Sequence, residues 1–552
     1  MTFSIDPGPL ARAVELACVR LERIQFADAL WARRLDVWSE DPGVARVIAG
    51  RLGWLDAIPA MRAGTDRLHR TAQEVRDAAF TDVVLLGMGG SSLAPEVLRA
   101  ACGAASGPRF HVLDSIDPDT VRPLMARAET TLFLLASKSG STIELTTLAA
   151  EAQRRLRAAR VADPGAHCIA ITDEGSPLHR RAIDQRFRDV FINAADIGGR
   201  FSALSFFGLV PAALMGLDID ALLAHADAMA EACRCADPRQ NPGLALGAAM
   251  AAAASEGRDK LTLVMPQRLE RLALWIEQLV AESTGKHGKG ILPVAGEPPA
   301  LRSGADRLMV ETTLGDVRRP APAGPPHAPS VTLDVPDVTA LGAEFFRWEV
   351  ATATAGLLLG INPFDEPNVQ QAKDATRALL DVYRESRRLP LAEPDAAIDG
   401  VRLSMSVSAR AAGGHGPSSL FDLLRPADYF ALLAYLPDRD EPFAAVLDQL
   451  RSAAGASGCA TSIGYGPRYL HSTGQLHKGG PDTGVFLVVT AEPSDDLPVP
   501  GEPYSFGVLE MAQAVGDFQA LDRAGRRAVH LHLPRRDPQL LLKVAGRLLG
   551  MD

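Results

Sequence analysis

Short apolar runs without polar alternation recur between residues 80 and 195 and leave few choices of fold. The runs are VVLL (83–86), LFLLA (132–136), CIAIT (168–172) and DVFIN (189–193), with helical patterns between them. Strands of a sheet that faces water on one side alternate apolar and polar residues, whereas strands of a parallel sheet are buried on both faces. We therefore predict an α/β fold with a helix-covered parallel sheet over residues 76–225.

The segments on either side complete a predicted arrangement of two α/β domains and an arm. Residues 1–75 carry apolar residues at helical spacing, with Arg, Glu and Asp between them, which predicts an N-terminal helical arm. After residue 226, further apolar runs such as VFLVV (485–489) alternate with helical patterns. They predict a second α/β domain over residues 226–552, with a surface loop in the Pro-rich segment 318–330.

Composition and charge exclude several classes of protein. The net charge of −10 argues against a protein whose main partner is the nucleic-acid backbone. No uncharged apolar run is long enough to cross a bilayer, and the N-terminus lacks the basic and apolar regions of a secretory signal. We therefore expect a cytoplasmic protein without a membrane partner. The six cysteines are scattered, which predicts neither a disulfide framework nor a metal site.

Two strand-to-helix turns consist of small residues that suit a phosphate group. Gly87–Ser92 is GMGGSS and Ser137–Thr142 is SKSGST. Loops at the carboxyl ends of parallel strands form the ligand crevice, where backbone N–H groups, helix N-termini and hydroxyls can hold an anion. Tight turns and helix caps explain either turn alone, but two such turns from one sheet favour a phosphate site. Neither turn contains the glycine motif of a nucleotide-binding fold or a P-loop.

These turns resemble the phosphate-binding loops of the sugar isomerase (SIS) fold, and three further motifs resemble the phosphoglucose isomerase family. The motifs are GGRFS (198–202), ESTGK (282–286) and INPFDEPNVQQAK (361–373). The resemblance implies two SIS-type parallel-sheet sandwich domains. It also implies five ligands of the sugar phosphate, which are Ser137, Ser139 and Thr142 in one turn and Gly90 and Ser91 in the facing turn.

The resemblance assigns roles to three charged side chains. Glu282 would be the base that moves a proton between C1 and C2 of a phosphosugar, and burial would raise its pKa toward a useful range. Arg200 would stabilise the negative charge on the enediolate oxygens. Lys373 would take part in ring opening. Glu366 departs from the family pattern, because a carboxylate stands where the family has Gln.

The histidine that opens the sugar ring lies between the base and the lysine in ordinary enzymes of the family. In this chain a similar segment, YLHSTGQLHKGG (469–480), follows the lysine, so the motif order of the second domain is permuted. We assign ring opening to His471 and keep His477 as the alternative, with a role in substrate binding. This order resembles the isomerase half of fused transaldolase–phosphoglucose isomerase proteins.

The resemblance implies the interconversion of glucose 6-phosphate and fructose 6-phosphate through a cis-enediolate, with no cofactor and no metal. The family also implies a homodimer and a functional link to transaldolase. A non-catalytic regulator that binds phosphosugars through the same loops is the alternative. Such a regulator would not need Arg200, Glu282 and Lys373 together.

Overall fold

The computed structural model describes residues 3–103, 107–315, 328–413, 419–438 and 440–551. Residues 318–327, which make up most of the predicted Pro-rich loop, lie outside the described residues. Among the helices in these ranges, none combines the length and the apolar character that a bilayer crossing requires.

The N-terminal arm is helical as predicted, apart from one short strand. Its elements are β1 (Phe3–Asp6), α1 (Ala11–Arg23), α2 (Phe26–Trp31), α3 (Pro42–Ala49), α4 (Ala57–Arg62) and α5 (Thr65–Asp77). Asp41 caps α3 by accepting hydrogen bonds from the backbone N–H groups of Gly43 and Val44. The apolar faces of the helices share one core with the sheet that follows, so the arm is an integral part of the molecule.

The sheet after the arm is parallel throughout, with the strand order β3-β2-β4-β5-β6. Its elements are β2 (Asp82–Leu86), α6 (Leu93–Cys102), β3 (Arg109–Leu113), α7 (Pro118–Leu124), β4 (Thr131–Ala136), α8 (Ile143–Ala158), β5 (Cys168–Asp173), α9 (Pro177–Asp184), β6 (Asp189–Asn193) and α10 (Phe206–Leu214). Every residue of β2 and β4 is buried, because helices cover both faces. The predicted α/β fold with a parallel sheet is confirmed.

A second sheet follows, with the order β1-β10-β9-β7-β8. Its region contains α11 (Ile219–Ala232), α12 (Pro242–Ser255), β7 (Lys260–Val264), α13 (Glu270–Thr284), β8 (Leu292–Val294), β9 (Arg307–Leu314), β10 (Ser330–Val335), α14 (Leu341–Leu359) and α15 (Val369–Ser386). The strands run parallel except for β1, which pairs antiparallel with β10. The first strand of the chain therefore closes the edge of a sheet whose other strands come from a distant part of the sequence.

The C-terminal region forms a third sheet with the order β11-β12-β16-β15-β13-β14. Its elements are β11 (Ala396–Ile398), β12 (Val401–Met405), α16 (Val407–Gly413), β13 (Tyr429–Tyr435), α17 (Glu441–Gly455), β14 (Ala460–Tyr465), α18 (Gly474–Gly479), β15 (Gly484–Ala491), α19 (Phe506–Arg523), β16 (Arg527–Leu533) and α20 (Pro538–Leu548). The four strands from β16 to β14 are parallel.

The structure thus distributes residues 226–552, predicted as one domain, between two sheets. The apolar pattern does not reveal this division, because a buried parallel strand has the same pattern whichever sheet it joins. Nor does it reveal β1, since four residues carry too short a pattern to predict a strand. The exact bounds of the three predicted regions stay a prediction.

Helices α8, α15 and α19 meet over one face of the first sheet. Val84 of this sheet, Leu148 of α8, Leu380 of α15 and Leu509 of α19 belong to one apolar cluster. The C-terminal region therefore packs directly on the side of the sheet that carries α8, and a crevice forms where the three helices meet.

Two arginines, the partly buried Arg468 and the buried Arg451, hold the third sheet against the other two. Arg468 donates to both carboxylate oxygens of Asp114, at 2.8 and 2.6 Å, across 354 residues of sequence. Arg451 of α17 donates to the carbonyls of Ala295 and Gly296 after β8, at 2.7 and 2.9 Å. The first of these contacts anchors the turn that carries His471.

Candidate functional site

A cavity of about 660 Å³ opens between α8, α15, α19 and the turn before α18. This volume lies in the range of small-molecule sites. Its wall includes the polar residues Ser139, Ser141, Thr142, Glu144, Lys373, His471 and Gln513. The other predicted site residues lie outside this wall, namely Gly90, Ser91, Ser137, Arg200, Glu282 and His477.

The loop between β4 and α8 presents hydroxyl groups to the cavity, while the ammonium group of Lys138 in the same loop is held away from it. Ser137 is buried and braces the loop, since its Oγ accepts from the Gly140 N–H at 3.1 Å and lies 3.2 Å from Thr142 Oγ1. Lys138 points elsewhere, because its Nζ donates to Asp173 at 2.6 Å. The loop and the N-terminus of α8 can therefore hold an anion with hydroxyl and backbone donors.

The turn after β2 packs against the turns that carry His471 and Arg200. Gly89 has a φ of +53°, and a Cβ there would lie 2.9 Å from the carbonyl oxygen of His471. A Cβ at Gly90 would collide with the carbonyl of Gly199, beside Arg200. These two glycines therefore permit the close approach of the turns that carry His471 and Arg200. Ser91 ends the short 3-10 helix that precedes α6 and lies outside the cavity wall.

Arg200 is buried, and its guanidinium is surrounded by oxygen atoms. Nε donates to Ser283 Oγ at 2.8 Å, and Nη2 donates to the carbonyls of Pro363 and Asp365, both at 2.8 Å. Nη1 donates to Glu366 Oε2 at 3.0 Å and lies 3.2 Å from Glu282 Oε1. The predicted base and the predicted cation are thus in direct contact.

Glu282 lies on α13 and is 8% exposed. Gln278, one turn earlier, donates to Glu282 Oε2 at 3.1 Å and to the carbonyl of His471 at 2.7 Å. Burial raises the pKa of Glu282, the charge of Arg200 opposes this rise, and the carboxylate of Glu366 adds to it. A carboxylate with a raised pKa is suited to exchange a proton near neutral pH.

His471 is the predicted histidine that reaches the cavity. Its Nε2 lies 3.0 Å from Glu144 Oε1, which also accepts from Gln513 Nε2 at 2.7 Å. Burial acts to raise the pKa of Glu144, but the charge and hydrogen bond of His471 outweigh it and leave this pKa below its usual value. The ring of His471 is therefore oriented by a buried carboxylate, as a histidine that handles protons requires.

His477 lies apart from the cavity, in an aromatic environment. It is 2% exposed, its Nδ1 lies 2.9 Å from the Tyr429 hydroxyl, and its ring packs edge-on against Phe486 at 5.0 Å. Burial lowers the pKa of His477 well below its usual value. The ring of His477 is therefore neutral and enclosed and lies outside the cavity wall, and its assignment to substrate binding or ring opening stays a prediction.

Glu366, in the segment that leads into α15, and Lys373, in the helix itself, flank the site. Lys373 lies on α15, exposed, with its side chain in the cavity wall. Burial acts to raise the pKa of Glu366, but Arg200 outweighs burial and lowers it. Lys286, from the ESTGK motif, contacts Asp365 at 2.7 Å, and burial lowers the pKa of Lys286 to about 8.

Three site residues escaped the sequence analysis. Glu144 ends the motif SKSGSTIE, but a Glu in the first turn of a helix is common enough to be read as a dipole effect. Gln278 lies one turn before the predicted base, on the same face of α13. Gln513 lies in α19, where no motif distinguishes it. In the described ranges, no group of three or more His, Cys, Asp or Glu residues is arranged to hold a metal.

Comparison with known proteins identifies relatives of this chain. The family described as phosphoglucose isomerase matches residues 56–290. A glucose-6-phosphate isomerase from Thermosynechococcus vestitus is 31% identical over an alignment of 398 residues, with 63% of this chain and 75% of the relative covered. One from Rubrobacter xylanophilus is 31% identical over an alignment of 386 residues, with 58% of this chain and 88% of the relative covered.

Two solved structures show the same architecture. A hypothetical protein from Thermus thermophilus superposes with a TM-score of 0.57 at 26% identity, over 68% of this chain and 99% of its own length. A glucose-6-phosphate isomerase from Chlamydia trachomatis shares the fold, with a TM-score of 0.51 at 22% identity over 65% of this chain and 78% of its own. With relatives above 30% identity matched over three quarters of their length or more, the chain belongs to the phosphoglucose isomerase family.

Proposed function

We propose that this chain interconverts glucose 6-phosphate and fructose 6-phosphate by ring opening and proton transfer through a cis-enediolate. The observation that carries the proposal is the connected cluster of Glu282, Arg200 and His471. Glu282 contacts Arg200 at 3.2 Å, and Gln278 joins Glu282 to the turn of His471. This cluster adjoins, through His471, a cavity whose wall includes the hydroxyl-rich loop.

In this mechanism the loop binds the phosphate and so places the sugar carbons toward His471. Ser139 and Thr142 donate hydroxyl hydrogen bonds, and Ser137 maintains the loop. His471 and Lys373 open the ring between them, one returning a proton to the ring oxygen and the other taking the proton of the anomeric hydroxyl. The contact of His471 with Glu144 supports this role, because it holds the imidazole in one orientation.

Proton transfer then falls to Glu282. Its carboxylate takes the proton from C2 of the open aldose and returns it to C1, while the hydroxyl proton passes from O2 to O1. The enediolate between the two steps carries one negative charge, shared over O1 and O2. Arg200 stabilises that charge because a guanidinium fixed in a low-dielectric environment needs little reorganisation as the charge develops. Proton and charge balance without an added cofactor.

A coupled assay with fructose 6-phosphate tests the proposal. The purified chain should form glucose 6-phosphate, detected by a glucose-6-phosphate dehydrogenase, at an unchanged rate after treatment with a chelator. Activity that disappears with the chelator and returns with a divalent metal would contradict the cofactor-free mechanism. Absence of isomerisation, with phosphosugar binding retained, would favour the regulator instead.

The proposal extends to assembly and location. Membership of the family supports a homodimer in the cytoplasm, with a functional link to transaldolase. Light scattering of the purified chain should give about twice the mass of 58.6 kDa, and a mass of one chain would contradict the homodimer.

A further inference from the structure

Within the part of the chain that the structure describes, Arg200 donates four hydrogen bonds, and its Nη1 also lies 3.2 Å from Glu282 Oε1 in an ion pair. A guanidinium carries five N–H groups, and five oxygen atoms surround this one within 3.2 Å: Ser283 Oγ, the carbonyls of Pro363 and Asp365, and the carboxylates of Glu366 and Glu282. Both partners of Nη1 are carboxylates, so an enediolate oxygen that approaches this nitrogen meets like charges unless one of the two carboxylates moves away.

The acceptors differ in how readily they can leave. Ser283 is buried on α13, and the two carbonyls belong to the backbone that leads into α15. Of the two carboxylates, Glu282 has a side chain 11% exposed and Glu366 one that is 40% exposed. Glu366 is therefore the acceptor whose side chain can most readily move away from Arg200 into solvent.

We propose that Glu366 competes with the substrate for Arg200. The reacting oxygens of the sugar must displace Glu366 before the enediolate can form. The inference rests on the proposed function, since it takes Arg200 as the group that stabilises these oxygens. Glu366 would then determine substrate affinity and the availability of Arg200, instead of binding the sugar itself.

The charges around Glu366 explain why displacement is linked to a proton. Arg200, Arg51 and Lys286 favour its ionised form, whereas Glu282 and Asp365 are the anions beside it. Paired with Arg200, Glu366 has a pKa below its usual value. Displaced by an anion, it loses this partner and gains a negative neighbour, so its pKa rises and it takes up a proton in mildly acidic solution.

The experiment measures binding of gluconate 6-phosphate by titration calorimetry. Its C1 carboxylate carries charge where the enediolate would. Glu366→Gln should bind this anion about tenfold more tightly than the wild type, because a like charge next to the ligand is removed. Glu366→Ala should do the same, which guards against a special effect of the amide. Glu393→Gln, an exposed carboxylate in the loop after α15, is the matched control and should leave affinity unchanged.

A second readout separates competition from a structural role. In buffers of different ionisation enthalpy at about pH 5, near the usual pKa of a Glu side chain, the wild type should take up more protons on binding than Glu366→Gln does. Equal affinity and equal proton uptake in the wild type and both variants would overturn the inference, as would a loss of binding in both variants. Because neither measurement needs turnover, failure of the isomerase assay is recognised separately.

Discussion

At the scale of single residues, the environment of Glu282 determines what it can do. A fully solvated Glu is ionised at neutral pH and is a weak base, whereas burial raises the pKa of Glu282. Arg200 limits that rise at 3.2 Å, so the carboxylate stays available to accept a proton. The same contact would bring the guanidinium close to the oxygens that become charged.

Glu282→Gln is expected to lower kcat at least about a hundredfold while phosphosugar binding persists, because the amide keeps the shape but cannot accept a proton. Coupled-assay kinetics and calorimetry with gluconate 6-phosphate measure the two effects. Glu270→Gln, on the exposed first turn of the same helix, is the control and should retain activity. A Glu282→Gln enzyme with more than about a hundredth of the wild-type kcat would exclude Glu282 as the base.

The variants His471→Ala and His477→Ala are expected to lose different properties. His471→Ala should slow turnover of glucose 6-phosphate strongly, yet largely spare proton exchange on an open-chain analogue, because Glu282 remains. His477→Ala should instead lower the free energy of unfolding by about 1–3 kcal/mol, since Tyr429 loses a buried partner. Turnover and denaturant midpoints measure the two losses. A selective ring-opening defect in His477→Ala alone would reverse the assignment.

At the scale of elements, α8 combines two roles within its first turn. Thr142 precedes the helix without capping it through its side chain, and the contact of its Oγ1 with Ser137 Oγ, at 3.2 Å, holds the hydroxyl at the cavity wall. Glu144 follows two residues later and faces His471. In the proposed mechanism, one rigid helix therefore carries both the end of the phosphate loop and the partner of His471, which fixes the distance between the phosphate and this histidine.

Thr142→Val is expected to raise KM about tenfold, with a smaller effect on kcat, because one hydrogen bond to a charged phosphate is lost. Thr146→Val is the matched control one turn along, since the Thr146 hydroxyl already donates to the Ile143 carbonyl at 2.9 Å. Steady-state kinetics with fructose 6-phosphate measure both. An equal KM for Thr142→Val and the wild type would place the phosphate elsewhere.

At the scale of the whole molecule, the site depends on contacts between distant parts of the chain. His471 belongs to the C-terminal region. Glu144 and Arg200 come from segments around the first sheet, and Glu282 comes from a helix beside the second. The ion pair of Arg468 with Asp114 and Asp438, the latter at 2.6 Å, holds the turn of His471 in place. Loss of this pair should therefore affect stability and activity together.

Arg468→Met is expected to destabilise the protein by about 3 kcal/mol, because the buried Asp114 and the partly buried Asp438 are left without this partner, and to lower kcat by displacing His471. Arg62→Met is the control, since the Arg62–Asp227 pair is exposed and should contribute less than about 1 kcal/mol. Denaturant midpoints and kcat measure the two effects. A destabilised Arg468→Met enzyme with unchanged kcat would show that His471 does not depend on this pair.

The local part of the molecule could be predicted from sequence. The parallel strands, the hydroxyl-rich loop and the motifs of Arg200, Glu282 and Lys373 all depend on residues within about one element of each other, where apolar period and turn chemistry are informative. The sequence also identified Glu366 as an unusual carboxylate. Its contact with Arg200 could not be predicted, because the two residues lie 166 positions apart.

The sequence by itself determined the class of fold, the hydroxyl-rich loop and the type of chemistry, because burial pattern and motif are properties of neighbouring residues. Only the tertiary structure decided that residues 226–552 form two sheets, that His471 and not His477 faces the cavity, and that Glu144 and Gln513 complete its surroundings. The pairing of His471 with Glu144 spans 327 residues. Such contacts follow from how buried surfaces pack on one another, and no local pattern in the chain encodes which surfaces will meet.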